Sequence, residues 1–439
     1  MKKFSVTQAI LQPPSSIAVK RINRRDAENV ARSLSQSDEK VFGIDISKKE
    51  NGLIDHFAIA TQTVVYLIEA GHDNVRHLDD LDVTFKKVLQ STQAVLVAFK
   101  MPRIALRLHH HFQYHVRGVD LSSLLSTDTA LWPSKVVSRI YHIDQSFVVD
   151  RLWHENNQKN LTENLCLRAW ISAKVAGSTT CLSLVLTTAK VDTSLLPKNV
   201  LLCLGVQLKE NDILARAHSR ESKNEYESFN VDAKGKGRLV NARYKSRVRV
   251  STQSYVEAIS DSGKVYQGKA AVVQGKTTKI NFRKGITNNI QSVRIFGQDD
   301  PTTSEKALDK LLLRILQSQD NLLDADFVRY LWFQTKKDLR RLRLRSVTPI
   351  SGSLARCLSH LNSSQAAVVG AMTAQSGSPI VTVHGTGKTT TISAAAELWS
   401  KEYFKPVRII GHSNVCVKNI AEKLLQREVD FKLLVSKEF

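Results

Sequence analysis

The sequence predicts a multidomain α/β protein with a basic all-β segment set between two α/β parts. Three observations lead there. Short apolar strand runs alternate with helix-period stretches over residues 40–176 and again over 346–439, the pattern of sheets covered by helices. Between Lys234 and Lys284 the pattern changes to alternating strands punctuated by glycine, as in a small barrel or sandwich. A chain of 439 residues has room for roughly two to four domains of ordinary size.

Residues 1–38 are polar, mixed in sign and without a sustained apolar period, so a flexible arm is expected there. From Lys40 onward, "KVFGIDIS" and "HFAIATQTVVYLIEA" read as consecutive strands and "LDDLDVTFKKVLQS" as a helix. "QAVLVAF" then reads as a short buried strand and "RIALRLHHHFQYH" as a helix. "LTENLCLRAWISAKVA", Leu161 to Ala176, reads as the helix that closes this unit, with Thr162 as a candidate N-cap. Residues 177–233 are a connecting region of ambiguous apolar runs. A basic β-barrel is expected over 234–303 and a helical stalk over 304–345, ending in "KKDLRRLRLR". The last part, 346–439, reads helix "LNSSQAAVVGAMTA", strand "PIVTV", a glycine loop, helix "TTTISAAAELWS", strand "PVRIIG" and helix "NVCVKNIAEKLLQ".

The 63 Lys plus Arg against 41 Asp plus Glu leave a net charge of +22. Such a surplus favours a polyanionic partner, nucleic acid first, over a small acidic ligand. It is concentrated in the β segment, where residues 234–284 carry thirteen basic and two acidic side chains. Cys166, Cys181, Cys203, Cys357 and Cys416 are odd in number and form no CxxC pair, which points to free thiols in a reducing compartment. The amino terminus has only a very short apolar run before Pro13, so no secretory signal is expected. The sequence holds no stretch of about 18 uncharged apolar residues that could span a bilayer. An intracellular protein, cytoplasmic or nuclear, is expected, with no membrane partner; the run Lys20 to Arg25 reads as a nuclear-import signal or, more simply, as a solvated basic patch.

The segment "VTVHGTGKTTTI", Val381 to Ile392, fits the second half of a P-loop through Gly387, Lys388 and Thr389. Thr382 stands where the pattern wants its first glycine. In a strand–loop–helix context Lys388 would reach the β and γ phosphates, and the Thr389 hydroxyl would hold a nucleotide-bound magnesium, with Thr390 beside it in the first helical turn. This region resembles superfamily 1 RNA/DNA helicases of the nonsense-decay type. Gly385, Thr386, Gly387, Lys388 and Thr389 match the last five positions of that family's G-P-P-G-T-G-K-T loop, while its Gly-Pro-Pro is missing. "LNSSQ" is similar to the adenine-reading motif, in which Gln365 would bond the base. "GHSNVCVKNIAEKL" is similar to motif Ia, whose Ser413 and Asn414 positions lie along a single strand. The barrel and stalk sit where the family places its accessory barrel and stalk. The resemblance covers about 234–439 and implies a partial RecA-like P-loop lobe, ATP and Mg2+ as cofactors, and single-stranded RNA or DNA as partner. The run holding Lys336, Lys337, Arg340 and Arg341 suits phosphate tracking, a solvated helix face being the alternative.

Two departures stand out. The missing three residues remove up to about 10 Å of extended chain and put Thr382 at a tight turn where a β-branched residue is strained. Only 51 residues follow Lys388, with Asp430 as their sole aspartate. The Asp-Glu pair and the second-lobe arginines that hydrolysis needs are therefore not expected in this chain.

Upstream, "FGIDIS", "VLVAFKMPRIALRL", "VDLSSLL" and "NLCLRAW" resemble the layout of DEDD-type 3′–5′ exonucleases on a ribonuclease H-like α/β fold, over about 40–176. The resemblance implies four acids holding two metals. Asp45 matches the first, but its partner position is Ser47. No acid lies between Asp82 and Asp120, and the third-motif position is Arg168, a cation that would repel a metal. An inactive exonuclease-like unit is expected, kept for packing or for binding nucleic acid. His111 and His115, in the cluster with His109 and His110, would share a helix face at a spacing zinc can use, although no Cys or acid nearby completes a site. Two readings of function stay open: a fragment or decayed relative of an ATP-dependent helicase that binds nucleic acid, or a non-enzymatic nucleic-acid-binding protein with pseudo-exonuclease and pseudo-P-loop domains.

Overall fold

The computed structural model describes residues 2–8, 15–22, 27–70, 88–126, 130–142, 149, 152–153, 161–217, 221–232, 235–243, 247–251, 254–282, 289–297, 303–333, 335–336, 358–373, 387–401, 406–411 and 414–434, in two units, Met1–Asp320 and Asn321–Phe439.

The first unit opens with β1 (Lys2–Gln8), β2 (Ser15–Ile22) and α1 (Ala27–Ser35), followed by β3 (Val41–Lys48), β4 (Ile54–Ala60) and β5 (Val64–Glu69). Next come β6 (Val95–Ala98), α2 (Met101–Phe112), β7 (Arg117–Asp120), α3 (Leu121–Leu124), α4 (Pro133–Tyr141) and α5 (Leu161–Ala176). The series ends with α6 (Thr179–Thr187), β8 (Val191–Asp192) and α7 (Lys198–Ala217). The eight strands form one mixed sheet in the order β1-β2-β5-β4-β3-β6-β7-β8. Its middle five, β5-β4-β3-β6-β7, run parallel except β4, which fits the expected ribonuclease H-like unit.

The amino-terminal residues are not the flexible arm expected of 1–38. β1 and β2 form an antiparallel hairpin, and β2 pairs in parallel with β5 from Ala18↔Val64 to Ile22↔Ile68. Ile17, Val19 and Ile22 are buried while Ala18 is exposed, so a strand alternation too short to stand out among charges was enough once a sheet edge was there to receive it.

Two apolar layers sandwich this sheet. Phe42, Ile44 and Ile46 of β3 face the layer that includes Ile104, Leu106 and Leu108 of α2. The other face, with Val97 and Val119, receives α5 through Leu165, Ala169 and Ala173. α5 is buried on most of its circumference, the signature of a helix inside a core rather than on its surface. Helix and strand approach closely at Gly43, where a Cβ would lie 1.9 Å from the Ala169 carbonyl oxygen. Thr162 lies inside the first turn of α5 and is not its N-cap. Most of the helix expected at "LDDLDVTFKKVLQS" lies outside the described residues.

The barrel is larger than expected and begins in the connecting region. β9 (Glu221–Lys223), β10 (Tyr226–Val231), β11 (Gly237–Asn241), β12 (Ser254–Ser260), β13 (Val265–Gln274), β14 (Thr277–Phe282) and β15 (Ile290–Gly297) form an antiparallel sheet in the order β10-β11-β14-β13-β12-β15-β9. Its two edge strands are consecutive in the chain, separated by Asn224 and Glu225 alone, so the sheet must curl until its ends meet. Leu239, Val248, Val256, Ile280 and Val293 fill the interior. At the seam the Asn224 amide donates to Asn241 Oδ1 at 3.1 Å, and Asn241 Nδ2 donates to the Lys276 carbonyl at 2.7 Å.

Among the described residues the expected stalk is broken into separate shorter pieces. α8 (Thr303–Leu316) stops where Ser318 turns left-handed at φ 55. Its Leu312 and Leu313 pack on the core of the eight-stranded sheet, and its Asp309 accepts both Nε and Nη2 of Arg103 at 3.0 and 2.6 Å. One helical turn along α2, Arg107 makes the same fork with Asp212 of α7 at 2.8 and 2.6 Å.

The second unit holds α9 (Asp326–Trp332), α10 (Ser363–Thr373), α11 (Lys388–Lys401) and α12 (Asn414–Gln426). Val369, Ala394, Ala395 and Leu398 join α10 to α11, and Ala396, Ile420 and Leu424 join α11 to α12. "PVRIIG", expected as a strand, has no regular structure, and its expected neighbour "PIVTV" lies outside the described residues. Among the described residues this unit is helical, and in neither unit is any single helix long and apolar enough to cross a membrane.

Candidate functional site

Where the exonuclease resemblance would place a metal centre, the protein fills the position with its own side chains. Asp45 lies on the same face of β3 as Gly43, the face that α5 covers, and the close helix–strand approach brings Arg168 onto it. The Arg168 Nε donates to Asp45 Oδ2, Nη1 donates to the Leu152 carbonyl at 3.1 Å and Nη2 to the Ile46 carbonyl at 3.4 Å. The other Asp45 oxygen accepts the Ile46 N–H at 2.7 Å. Both side chains are mostly buried, so the guanidinium neutralises the carboxylate where water is scarce. Ser47, at the partner position, spends its hydroxyl on the irregular end of β3–β4 pairing, accepting from the His56 N–H at 3.0 Å. The α2 stretch expected to carry a second aspartate carries Arg103 and Arg107, both paired as described above. A metal needs several convergent acids; here one acid faces a fixed cation.

Asp120 plays a different part. Lys100, before α2, is left-handed at φ 60 and makes no side-chain cap, so the Asp120 carboxylate from β7 accepts the Met101 N–H at 2.9 Å instead. Burial raises its carboxyl from an ordinary 3.8 to about 6, against the pull of hydrogen bonds from Met101 and Ser123. The folded chain holds that proton more tightly than the unfolded chain, so the stability it contributes is present below about pH 4 and is lost as pH rises through about 6. Asp120→Asn keeps an oxygen acceptor for Met101 and has no proton to lose. Its stability relative to the native chain should rise by about 3 kcal/mol between about pH 4 and pH 7, as read from urea midpoints at each pH; a pH-independent difference refutes the buried-acid account.

The histidine cluster does not share one helix face as the sequence spacing suggested. α2 ends at Phe112 with Gln113 left-handed, which takes His115 out of helical register with His111. His111 Nδ1 accepts the Ile54 N–H at 3.4 Å, and His115 stands beside His109 with ring centroids 5.1 Å apart. Burial, reinforced by the neighbouring His115, pushes His109 down to about 4, so it is neutral at neutral pH. Among the described residues no group of three or more His, Cys, Asp or Glu side chains could hold a metal. The four described cysteines are free, Cys166 and Cys181 being buried.

In the second unit five of the expected nucleotide-site residues meet. Gly387 has φ +77, conformational space that glycine reaches without strain, and leads directly into α11, whose first residue is the exposed Lys388. Thr389 and Thr390 follow in its first turn, half-buried. Gln365 lies against Gly387, where a Cβ would be 2.7 Å from its Nε2. Its Oε1 accepts the Asn362 N–H at 3.1 Å while Asn362 Oδ1 accepts the Gln365 N–H at 2.8 Å. That is a reciprocal capping box for α10, a local duty that competes with base reading. Gly385, Thr386, Ser413, Lys337, Arg340 and Arg341 lie outside the described residues; Asn414 opens α12, and Lys336 is exposed.

The barrel offers a surface that residue spacing alone does not reveal. β11 and β14 pair so that Arg238 stands directly opposite Lys279, both exposed, and Lys269 of β13 is diagonal to Lys279 across the Lys269↔Asn281 pair. Like charges directly opposite on a sheet destabilise it.

No family model matches this chain, and no curated protein matches it. Among solved structures it is similar to Trypanosoma brucei RNase D in complex with GMP, at 12% identity and TM-score 0.30, over 44% of this chain and 63% of that one. The same RNase D in complex with RNA U12 gives 12% identity and TM-score 0.28, over 44% and 69%. The EXD2 exonuclease domain soaked in Mn and dGMP gives 15% and 0.21, over 46% and 95%. The first match spans less than two thirds of its RNase D chain, and likeness this low says nothing of activity.

Proposed function

We propose that this chain binds single-stranded nucleic acid without cleaving it, and that its exonuclease-like unit is a scaffold. The Arg238–Lys279 pair carries the reading: two cations held opposite each other cost stability in the free protein, and a phosphate strand across them turns that cost into binding. The Arg168–Asp45 pair supports the absence of cleavage, since it commits the acid that matches the first metal-ligand position to a cation.

The test is anisotropy of labelled single-stranded RNA and DNA at rising salt. Binding should weaken steeply with salt. Lys279→Glu makes an opposite-charge pair with Arg238, so binding should fall several-fold while the melting temperature holds or rises; unchanged binding refutes the reading. The oligonucleotides should stay intact with manganese, and degradation abolished by Asp45→Asn would overturn the scaffold role.

A second reading has its own observation. The left-handed Gly387 leading into an exposed Lys388 at the start of α11 supports a phosphate-binding loop of helicase ancestry, taking ATP with Mg2+ through Thr389. Adding ATP and magnesium to the same titration decides it: an effect on binding lost in Lys388→Ala supports the loop, and no effect removes it.

A further inference from the structure

A cleft of about 1370 Å³ opens in the first unit, lined by neither Asp45 nor Arg168. Phe99 and Lys100, which follow β6, and Asp120 at the end of β7 line it together with the residues around the α3–α4 connection and with α8. Pockets for single drug-sized ligands usually run roughly 300–1,000 Å³, so this cleft has room for something longer.

Its chemistry is aromatic on one side and cationic on the other. Phe99 and Trp153 meet edge to face at 5.2 Å, and Trp132 lies beside Lys100, whose ammonium is 5.5 Å from the ring centre. Opposite them Lys306, Lys310 and Arg314 line the cleft from α8. They recur every four residues, which sets one cation about every 6 Å along the helix. Six basic and two acidic side chains line the cleft. Of the two acids, Asp309 is held by Arg103 and Asp120 is buried under the N-terminus of α2. Arg314 is paired in turn with Asp320 at 2.9 Å, and Lys306 and Lys310 are exposed on α8.

We infer that this cleft takes a short stretch of single-stranded nucleic acid, its bases stacked on Trp132 and Trp153 and its phosphates laid along Lys306 and Lys310. Flat rings beside a regular row of cations are the combination that holds single strands without reading sequence. An acidic peptide would use the cations but would leave the rings without a flat partner. The inference rests on the nucleic-acid reading above and adds a second contact surface to that of the barrel. It also gives α8 a reason to lie on the sheet with its basic face outward.

The test uses the full chain and labelled oligouridylate and oligothymidylate, read by anisotropy. Lys306→Glu with Lys310→Glu, both exposed, should weaken binding at least ten-fold and flatten the slope of log K against log salt by about 1.4, the share of two phosphate contacts on a single strand. Lys135→Glu with Lys198→Glu, exposed and outside the cleft, is the charge-matched control and should change neither by as much. Trp132→Ala should weaken binding about ten-fold at unchanged salt slope, with Trp132→Phe recovering part of it. Equal losses in the control pair, or cleft variants that bind like the native chain, overturn the cleft while leaving nucleic-acid binding intact. No binding by the native chain overturns both. Poly-glutamate that displaces the oligonucleotide from the native chain, but not from the cleft variants, assigns the cleft to acidic peptide and overturns the strand. Preference between the two oligonucleotides tells RNA from DNA.

Discussion

Arg168→Ala should lower folding stability by about 3–5 kcal/mol, the usual cost of stranding one partner of a buried ion pair. The Asp45 and Arg168 side chains are only 14% and 16% exposed, and the truncation strips the carboxylate of its counter-charge and two carbonyls of a donor. The informative partner is the double variant Asp45→Leu with Arg168→Met. Removing both charges should recover most of the loss, because a well-filled apolar pair is often no less stable than a buried salt bridge. Urea unfolding of the three proteins measures it. A loss under about 1 kcal/mol in Arg168→Ala would class the pair with solvated surface bridges and would remove the reason for calling the metal centre closed.

Gly43→Ala is the other large effect, and it acts without any charge. The added methyl would fall 1.9 Å from the Ala169 carbonyl oxygen and 2.7 Å from the Ala173 nitrogen. Both are backbone atoms of a buried helix, so no side-chain rotation relieves the clash; α5 must move off the sheet. Overfilled cores usually lose about 1–3 kcal/mol and sometimes more, and a loss of about 3 kcal/mol or more is expected here. Gly263 is the contrast, with φ +77 and nothing within 4 Å of a Cβ. Gly263→Ala should lose only the roughly 1–2 kcal/mol of a left-handed alanine. Comparable unfolding midpoints for the two variants would contradict the close packing of α5 on β3.

The sequence made α5 legible to the residue, because sixteen consecutive positions free of Gly and Pro leave little else for the chain to do. The loss of acids from the exonuclease-like centre was legible too, position by position. What Arg168 does was not: it was read as repelling a metal, and only the contact of α5 with β3, 123 residues apart in the chain, shows it replacing one. The barrel's first strands hid in "ESKNEYESFNV", where polar residues outnumber apolar ones and no alternation stands out. His111 and His115 were assigned to one helix because neither Gly nor Pro marks the left-handed turn at Gln113. The stalk failed for a related reason, since a helix-period stretch says nothing about which surface will receive it. The row Lys306, Lys310 and Arg314 could have been found by its spacing, but not the aromatic wall that faces it, which comes from a distant part of the chain.

The two arginine forks on α2 have a mechanical consequence. The chain enters the barrel from α7 and leaves it into α8, and Arg107 and Arg103 fasten those two helices to neighbouring turns of one helix. The barrel is thus an inset, moored at both its ends, and the cost of closing so long an excursion is met once, at its base. A strand pulling on the barrel loads both moorings in parallel and delivers its tension to α2 rather than to a single hinge.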